Sequence, residues 1–153
     1  MKILAIAAAF LPLTIVGAPG PKTEVKPETE LQRMAGTWEY QSQAIGGREL
    51  PADRRANIWV VIDGDVMTRE TGLAPGAKDK IKLDTTTSPK SIDLISIDHP
   101  SGKTFTEVGI YEWDGETLRL CMDNTGKERP KEFKSPAGKE QIYLSVLKKR
   151  KEK

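Results

Sequence analysis

The sequence predicts an all-β chain that closes into an up-and-down antiparallel β-barrel of about eight strands, with a short N-terminal helix. Three observations carry this. Stretches that alternate apolar and polar residues recur, as in Lys80-Ile81-Lys82-Leu83-Asp84-Thr85, which is the period of a half-buried strand. Short turn signals join them: Asp63-Gly64, Ser88-Pro89 and Asp114-Gly115. No long helical pattern stands between the strands, and Greek-key crossovers would need longer connections. A meander leaves two unpaired edges, and closure into a barrel removes both.

The chain opens with Met1-Lys2, an apolar run from Ile3 to Val16 broken by Pro12, and the small residues Gly17-Ala18. A positive start, an apolar stretch and a small-residue cut form a signal-peptide pattern over residues 1–18. The run is about 14 residues, short of the roughly 20 that cross a bilayer, so no membrane span is expected. A buried N-terminal helix is the alternative, and Pro12 counts against it. The expectation is an exported protein, periplasmic or secreted, whose mature chain begins between Pro19 and Thr23. Residues 19–27 form a linker with little to bury, and residues 28–150 form one barrel domain.

Glu28 to Ala35 reads as a helix capped by Thr29, with Leu31, Met34 and Ala35 on its apolar face. Gly36 to Ser42 is the first strand, with Trp38 and Tyr40 pointing one way. Gly46-Gly47 breaks it, and Leu50-Pro51 to Arg55 is a loop or a single turn. Asn57 to Asp63 and Asp65 to Glu70 flank the Asp63-Gly64 signal, and Thr71 to Ala77 is a longer loop. Lys80 to Thr85 and Ser91 to Ile97 follow, then a turn at Asp98 to Gly102. Thr104 to Val108 leads into the hairpin Gly109 to Leu120.

Asp-Gly suits a two-residue turn because a type I′ tip needs positive φ at both central residues. With Asp114-Gly115 at the tip, Trp113 faces Glu116, Tyr111 faces Leu118 and Gly109 faces Leu120. One face then carries Tyr111, Trp113, Leu118 and Leu120, the core side. Ile110, Glu112, Thr117 and Arg119 take the other. After a polar segment through Gly138, Gln141 to Leu147 closes the domain. Ile142, Leu144 and Val146 share one of its faces, and Tyr143 and Leu147 the other.

The 153 residues carry 24 basic and 22 acidic side chains, a net charge of +2 that offers no electrostatic case for nucleic acid. The basic tail Lys148-Lys149-Arg150-Lys151 reads as a solvated terminus or as a contact for an acidic partner. One cysteine, Cys121, allows no internal disulfide. It reads as a small apolar residue, with a thiolate beside Arg119 as the alternative. His99, the one histidine, falls in a turn and offers no base beside a nucleophile. No metal site, cofactor loop or catalytic residue is expected, and counting carboxylates does not decide whether two converge.

Leu31, Gly36-Thr37-Trp38, Gly109-Ile110-Tyr111-Glu112, Asp114-Gly115, Leu118-Arg119-Leu120-Cys121 and Glu128-Arg129-Pro130 with Phe133 together carry a resemblance. The chain resembles the uncharacterised lipocalin-like family abundant in planctomycete bacteria. Gly36-Thr37-Trp38 is also similar to the Gly-x-Trp of lipocalins, whose Trp plugs the closed end of the barrel under a late basic residue. Lys148 or Arg150 is the counterpart this resemblance implies. It implies a lipocalin-like barrel and an exported protein, and no activity, ligand or catalytic residue.

Tyr40, Trp59, Phe105, Tyr111 and Trp113 are the candidate ligand contacts, while Trp38 as plug is structural. Two readings of function follow. The first is a non-catalytic binder of a small apolar molecule, with a hollow barrel. The second is an envelope or protein-interaction module with a filled barrel and no ligand. Oligomeric state has no signature in the chain.

Overall fold

The computed structural model describes residues 26–73, 76–97 and 101–151. The expected signal peptide, most of the linker and His99 lie outside the described residues. A helix α1 (Pro27–Met34) leads into strand β1 (Gly36–Ile45), the two-residue strand β2 (Arg48–Glu49) and a single helical turn α2 (Ala52–Arg55). Strands β3 (Trp59–Asp63), β4 (Val66–Glu70), β5 (Ala77–Asp84) and β6 (Lys90–Ile97) follow. Strands β7 (Thr106–Asp114), β8 (Thr117–Asp123) and β9 (Ile142–Lys149) complete the order.

From β3 to β9 each strand pairs antiparallel with the next, β1 pairs with β3, and β1 also pairs with β9. That last pairing closes an eight-stranded up-and-down barrel, with β2 as a short extension beside the end of β1. The predicted all-β barrel with its short helix is therefore the observed fold.

The hairpin register differs from the expectation by two residues. Asp114 pairs with Thr117, so Gly115 and Glu116 form the tip, and Trp113 faces Leu118 while Tyr111 faces Leu120. Asp63 likewise pairs with Val66 around Gly64-Asp65. In both turns the glycine is the first central residue, with φ of 60° at Gly115 and 58° at Gly64. One residue at positive φ followed by a free choice is the Gly-X turn pattern. A two-residue slip keeps every side chain on its own face, so the predicted core side stands. Tyr111, Leu118 and Leu120 are buried inside the barrel, and Trp113 packs against them.

One further expectation is corrected, and β1 adds a feature beyond the shared face of Trp38 and Tyr40. Helix α1 starts at Pro27, where the missing N–H costs nothing, and Thr29 provides no cap. In β1 the register slips between Tyr40 and Ser42, a bulge at Gln41. Strict alternation from Trp38 and Tyr40 would bring Ser42 and Ala44 inside. The bulge shifts the phase, and Gln43 and Ile45 reach the interior cavity instead.

Because adjacent strands alternate in direction, the connections sort to two ends. The turns at Gly64-Asp65 and Gly115-Glu116 share one end with α1. The β4–β5 and β6–β7 loops and the long 124–141 segment gather at the other. The α1 end is packed shut. Met34 and Trp38 are buried there, the Trp38 indole donates to the Met34 carbonyl at 2.8 Å, and Trp38 meets Trp113 with ring centres 5.9 Å apart. Trp38 is the plug, as expected, but the cation over it is Lys149 at 5.5 Å. Trp38 pairs directly with Lys149, so their side chains share a face, whereas Arg150 lies over Trp59 on the outer wall.

Segment 124–141 folds back over the outside of β7 and β8. It covers a second apolar cluster of Ile110, Cys121 and Ile142 with Phe133 and Leu144. Arg129 fastens it, donating to the carbonyls of Ile92 at 3.0 Å and Gly109 at 2.7 Å and to Asp93 at 2.7 Å. Cys121 is buried in this cluster, donates to the Lys134 carbonyl at 3.3 Å, and has its pKa raised by burial. The thiol is held away from the reactive thiolate form, which favours its reading as a small apolar residue.

Candidate functional site: a charged cavity in the open half of the barrel

The interior is filled from the α1 end upward by Trp38, Ile62, Ile81, Ile92, Leu118 and Leu147. Beyond that layer a cavity of about 230 Å³ opens toward the loop end. Its apolar wall comes from Val60, Met67, Leu94, Leu120 and Ile45. Its polar lining comes from Tyr40, Gln43, Arg69, Glu107, Tyr143 and Ser145.

Strand alternation places the charges. Arg69 follows Met67 by two residues on the inner face of β4, and Asp79 precedes Ile81 by two on the inner face of β5. Glu107 lies opposite Leu94. Arg69 contacts Asp79 at 2.8 Å and Glu107 at 3.0 Å. Tyr143 donates its hydroxyl to the other Glu107 oxygen, and Gln43 donates to Ser145 at 3.2 Å.

Burial alone would lower the Arg69 pKa, but the Glu107 and Asp79 carboxylates and the hydrogen bond to Glu107 outweigh it, so Arg69 stays protonated. Burial raises the Asp79 carboxyl, with Arg69 opposing and Glu107 adding to the rise. Asp79 is only 3% exposed, and its Oδ2 has no hydrogen bond in good geometry despite the ion pair. Burial also pushes the Tyr40 and Tyr143 phenols up, so both remain neutral donors.

The five predicted aromatic contacts do not converge. Tyr40 lines the cavity. Tyr111 and Trp113 belong to the plugged end. Trp59 is on the outer wall beneath Arg150 at 5.4 Å, in the opposite phase from the buried Val60 and Ile62. Phe105 precedes β7 on the open rim and is 48% exposed. Arg69, Glu107 and Tyr143 line the cavity and lie outside the aromatic set that the sequence singled out. Arg69, Asp79 and Glu107 share phase with Met67, Ile81 and Tyr111, but Val66, Val108 and Ile110 stand in the other phase of β4 and β7, so the strand patterns alone were ambiguous.

The plugged end holds a second polar group. Glu30 of α1, 3% exposed, accepts from Lys90 at 3.0 Å and from the Trp113 indole at 2.9 Å. Burial would raise its pKa, but these hydrogen bonds and the Lys90 charge hold it below the usual glutamate value. The Tyr111 hydroxyl stands near the same carboxylate without a hydrogen bond in good geometry, and burial followed by the Glu30 charge raises its pKa. The group ties α1 to β6 and β7.

Outside the barrel, a groove of about 340 Å³ runs along Glu128, Arg129, Lys131, Glu132 and Lys139. Most of that lining is solvent-exposed, whereas the interior cavity lies between barrel walls. Among the described residues, no group of three His, Cys, Asp or Glu side chains is placed to hold a metal ion. No helix there is long and apolar enough to cross a membrane, which says nothing about strands. Set against family models, curated proteins and solved structures, the chain shows no match.

Proposed function

We propose that the protein is a non-catalytic binder of a small molecule held in the open half of its barrel. The observation that carries this is the cavity of about 230 Å³ with an apolar wall and a buried polar network. Pockets for drug-sized ligands begin near ~300 Å³, so the ligand is a smaller compound. The sequence reading of an apolar ligand becomes one with a polar end, because Arg69, Glu107 and two tyrosines line the same space. Ser145, the serine of the lining, is held by Gln43, which is no general base. The resemblance to a lipocalin-like family and the leader pattern of residues 1–18 support placing the protein outside the cytoplasm.

The outer groove of about 340 Å³ favours a second reading, a surface for another protein. An NMR titration of the isotope-labelled chain with benzyl alcohol separates the two. Binding inside shifts the amides of Val60, Leu94, Leu120 and Tyr143, and Leu120→Trp abolishes those shifts by filling the space. Shifts confined to Arg129–Lys139, or none at all, would overturn the cavity reading.

A further inference from the structure

We infer that the cavity selects a ligand with a primary ammonium head over one with a carboxylate. This inference rests on the proposed small-molecule binding and names its ligand class. The argument is a count of charge in a partly desolvated space. Among the described residues, Arg69 is the only cation in the cavity lining. It is shared by two carboxylates, Asp79 at 2.8 Å and Glu107 at 3.0 Å, so a proton on Asp79 at most balances the site, and with both ionised one negative charge is unmatched. Their side chains are 4% and 15% exposed, so water offsets little of it.

Nothing else in the lining balances the excess. Tyr40 and Tyr143 are neutral, and Gln43, Asn124 and Ser145 carry no charge. An ionised carboxylate offers about four lone-pair sites. Glu107 uses two, for Arg69 and for the Tyr143 hydroxyl, so acceptor capacity remains on a residue that lines the cavity. An ammonium head placed there gains Glu107 as a charged acceptor and the Tyr40 hydroxyl as a neutral one, while its carbon skeleton packs on Val60, Leu94 and Leu120. A carboxylate head would have to displace Asp79 or Glu107 from Arg69 or stand as a third negative charge beside them. Between a like and an opposite charge in so poorly hydrated a space, the difference is enough for more than a tenfold preference.

The test is calorimetric titration of the full chain with benzylammonium, benzyl alcohol and benzoate, which share a ring and differ in head group. Benzylammonium should bind at least tenfold more tightly than benzoate, with benzyl alcohol between them. Glu107→Gln keeps the shape, removes the charge, and should erase the ranking. If that variant does not fold, as read by its thermal melt, the ranking on the unaltered chain decides. Benzoate binding as well as or better than benzylammonium would overturn the inference. Benzyl alcohol binding while both ions fail would overturn it too and leave the cavity reading intact. Failure of all three probes would overturn both.

Discussion

Trp38 and Trp113 lie 5.9 Å apart at the plugged end, yet they are held differently. Trp38 is 1% exposed, and its indole satisfies the Met34 carbonyl where α1 ends. That carbonyl would otherwise be an orphan of the helix terminus. Trp113 is only partly buried, with Arg33 over its ring at 3.8 Å and its indole on Glu30. Truncating a buried large aromatic costs about 3–5 kcal/mol. Trp38→Ala should fall in that range, and Trp113→Ala below it. Denaturant melts of the two variants rank them, and a larger loss for Trp113→Ala would move the plug to the hairpin. Trp38 was legible through the resemblance of Gly36-Thr37-Trp38 to the Gly-x-Trp of lipocalins, which implies an end plug. The sequence concealed Arg69 and Glu107, since charged residues in strands normally face water and only pairing shows which face is inside.

At the scale of elements, the barrel has an outer attachment as well as a core. Segment 124–141 contains no strand, yet it buries the outer face of β7 and β8, and Arg129 carries the attachment through three acceptors on β6 and β7. Gly109 serves the attachment only through its carbonyl, and its missing side chain makes room on the inner face. A Cβ there would meet the Met122 sulfur at 2.1 Å and the Cys121 carbonyl at 2.5 Å. Arg129→Met should therefore loosen the segment while leaving the inner core in place. The expected readout is faster amide exchange at Phe133–Gln141 and modification of Cys121 by a thiol reagent, with β3 and β4 unchanged. Unchanged Cys121 protection would mean that Phe133 holds the segment by itself. This attachment was only half legible. The Glu128-Arg129-Pro130 and Phe133 pattern marked the segment, but a long-range staple to backbone carbonyls leaves no periodicity to read. The hairpin tips show the same limit. Asp-Gly located both turns, and the tip moved by one residue so that glycine takes the first central position, with positive φ, in each.

Across the whole molecule, the two ends carry buried carboxylates whose titrations oppose each other. Glu30 at the plugged end has its folded pKa lowered by Trp113 and Lys90 against the effect of burial. Its stabilisation is complete above the ordinary glutamate value of about 4.3 and is lost as pH falls through the folded value. Asp79 at the open end has its folded pKa raised, chiefly by burial. Its contribution is present below the ordinary aspartate value of about 3.9 and is lost as pH rises through the folded value. Glu30 therefore governs the acid side of the carboxylate range and Asp79 the side toward neutrality. Removing each charge isolates the other. The deficit of Glu30→Gln relative to the unaltered chain should shrink on acidification below about pH 4, where the parent loses its own Glu30 contribution. Asp79→Asn should compare best near neutrality and lose ground as pH falls, because only the parent then gains by protonating Asp79. Urea unfolding of the three proteins across the acid range measures both trends. Parallel curves for Asp79→Asn and the parent would mean that Arg69 offsets the burial of Asp79 and leaves its carboxyl at the ordinary value, against the rise expected here.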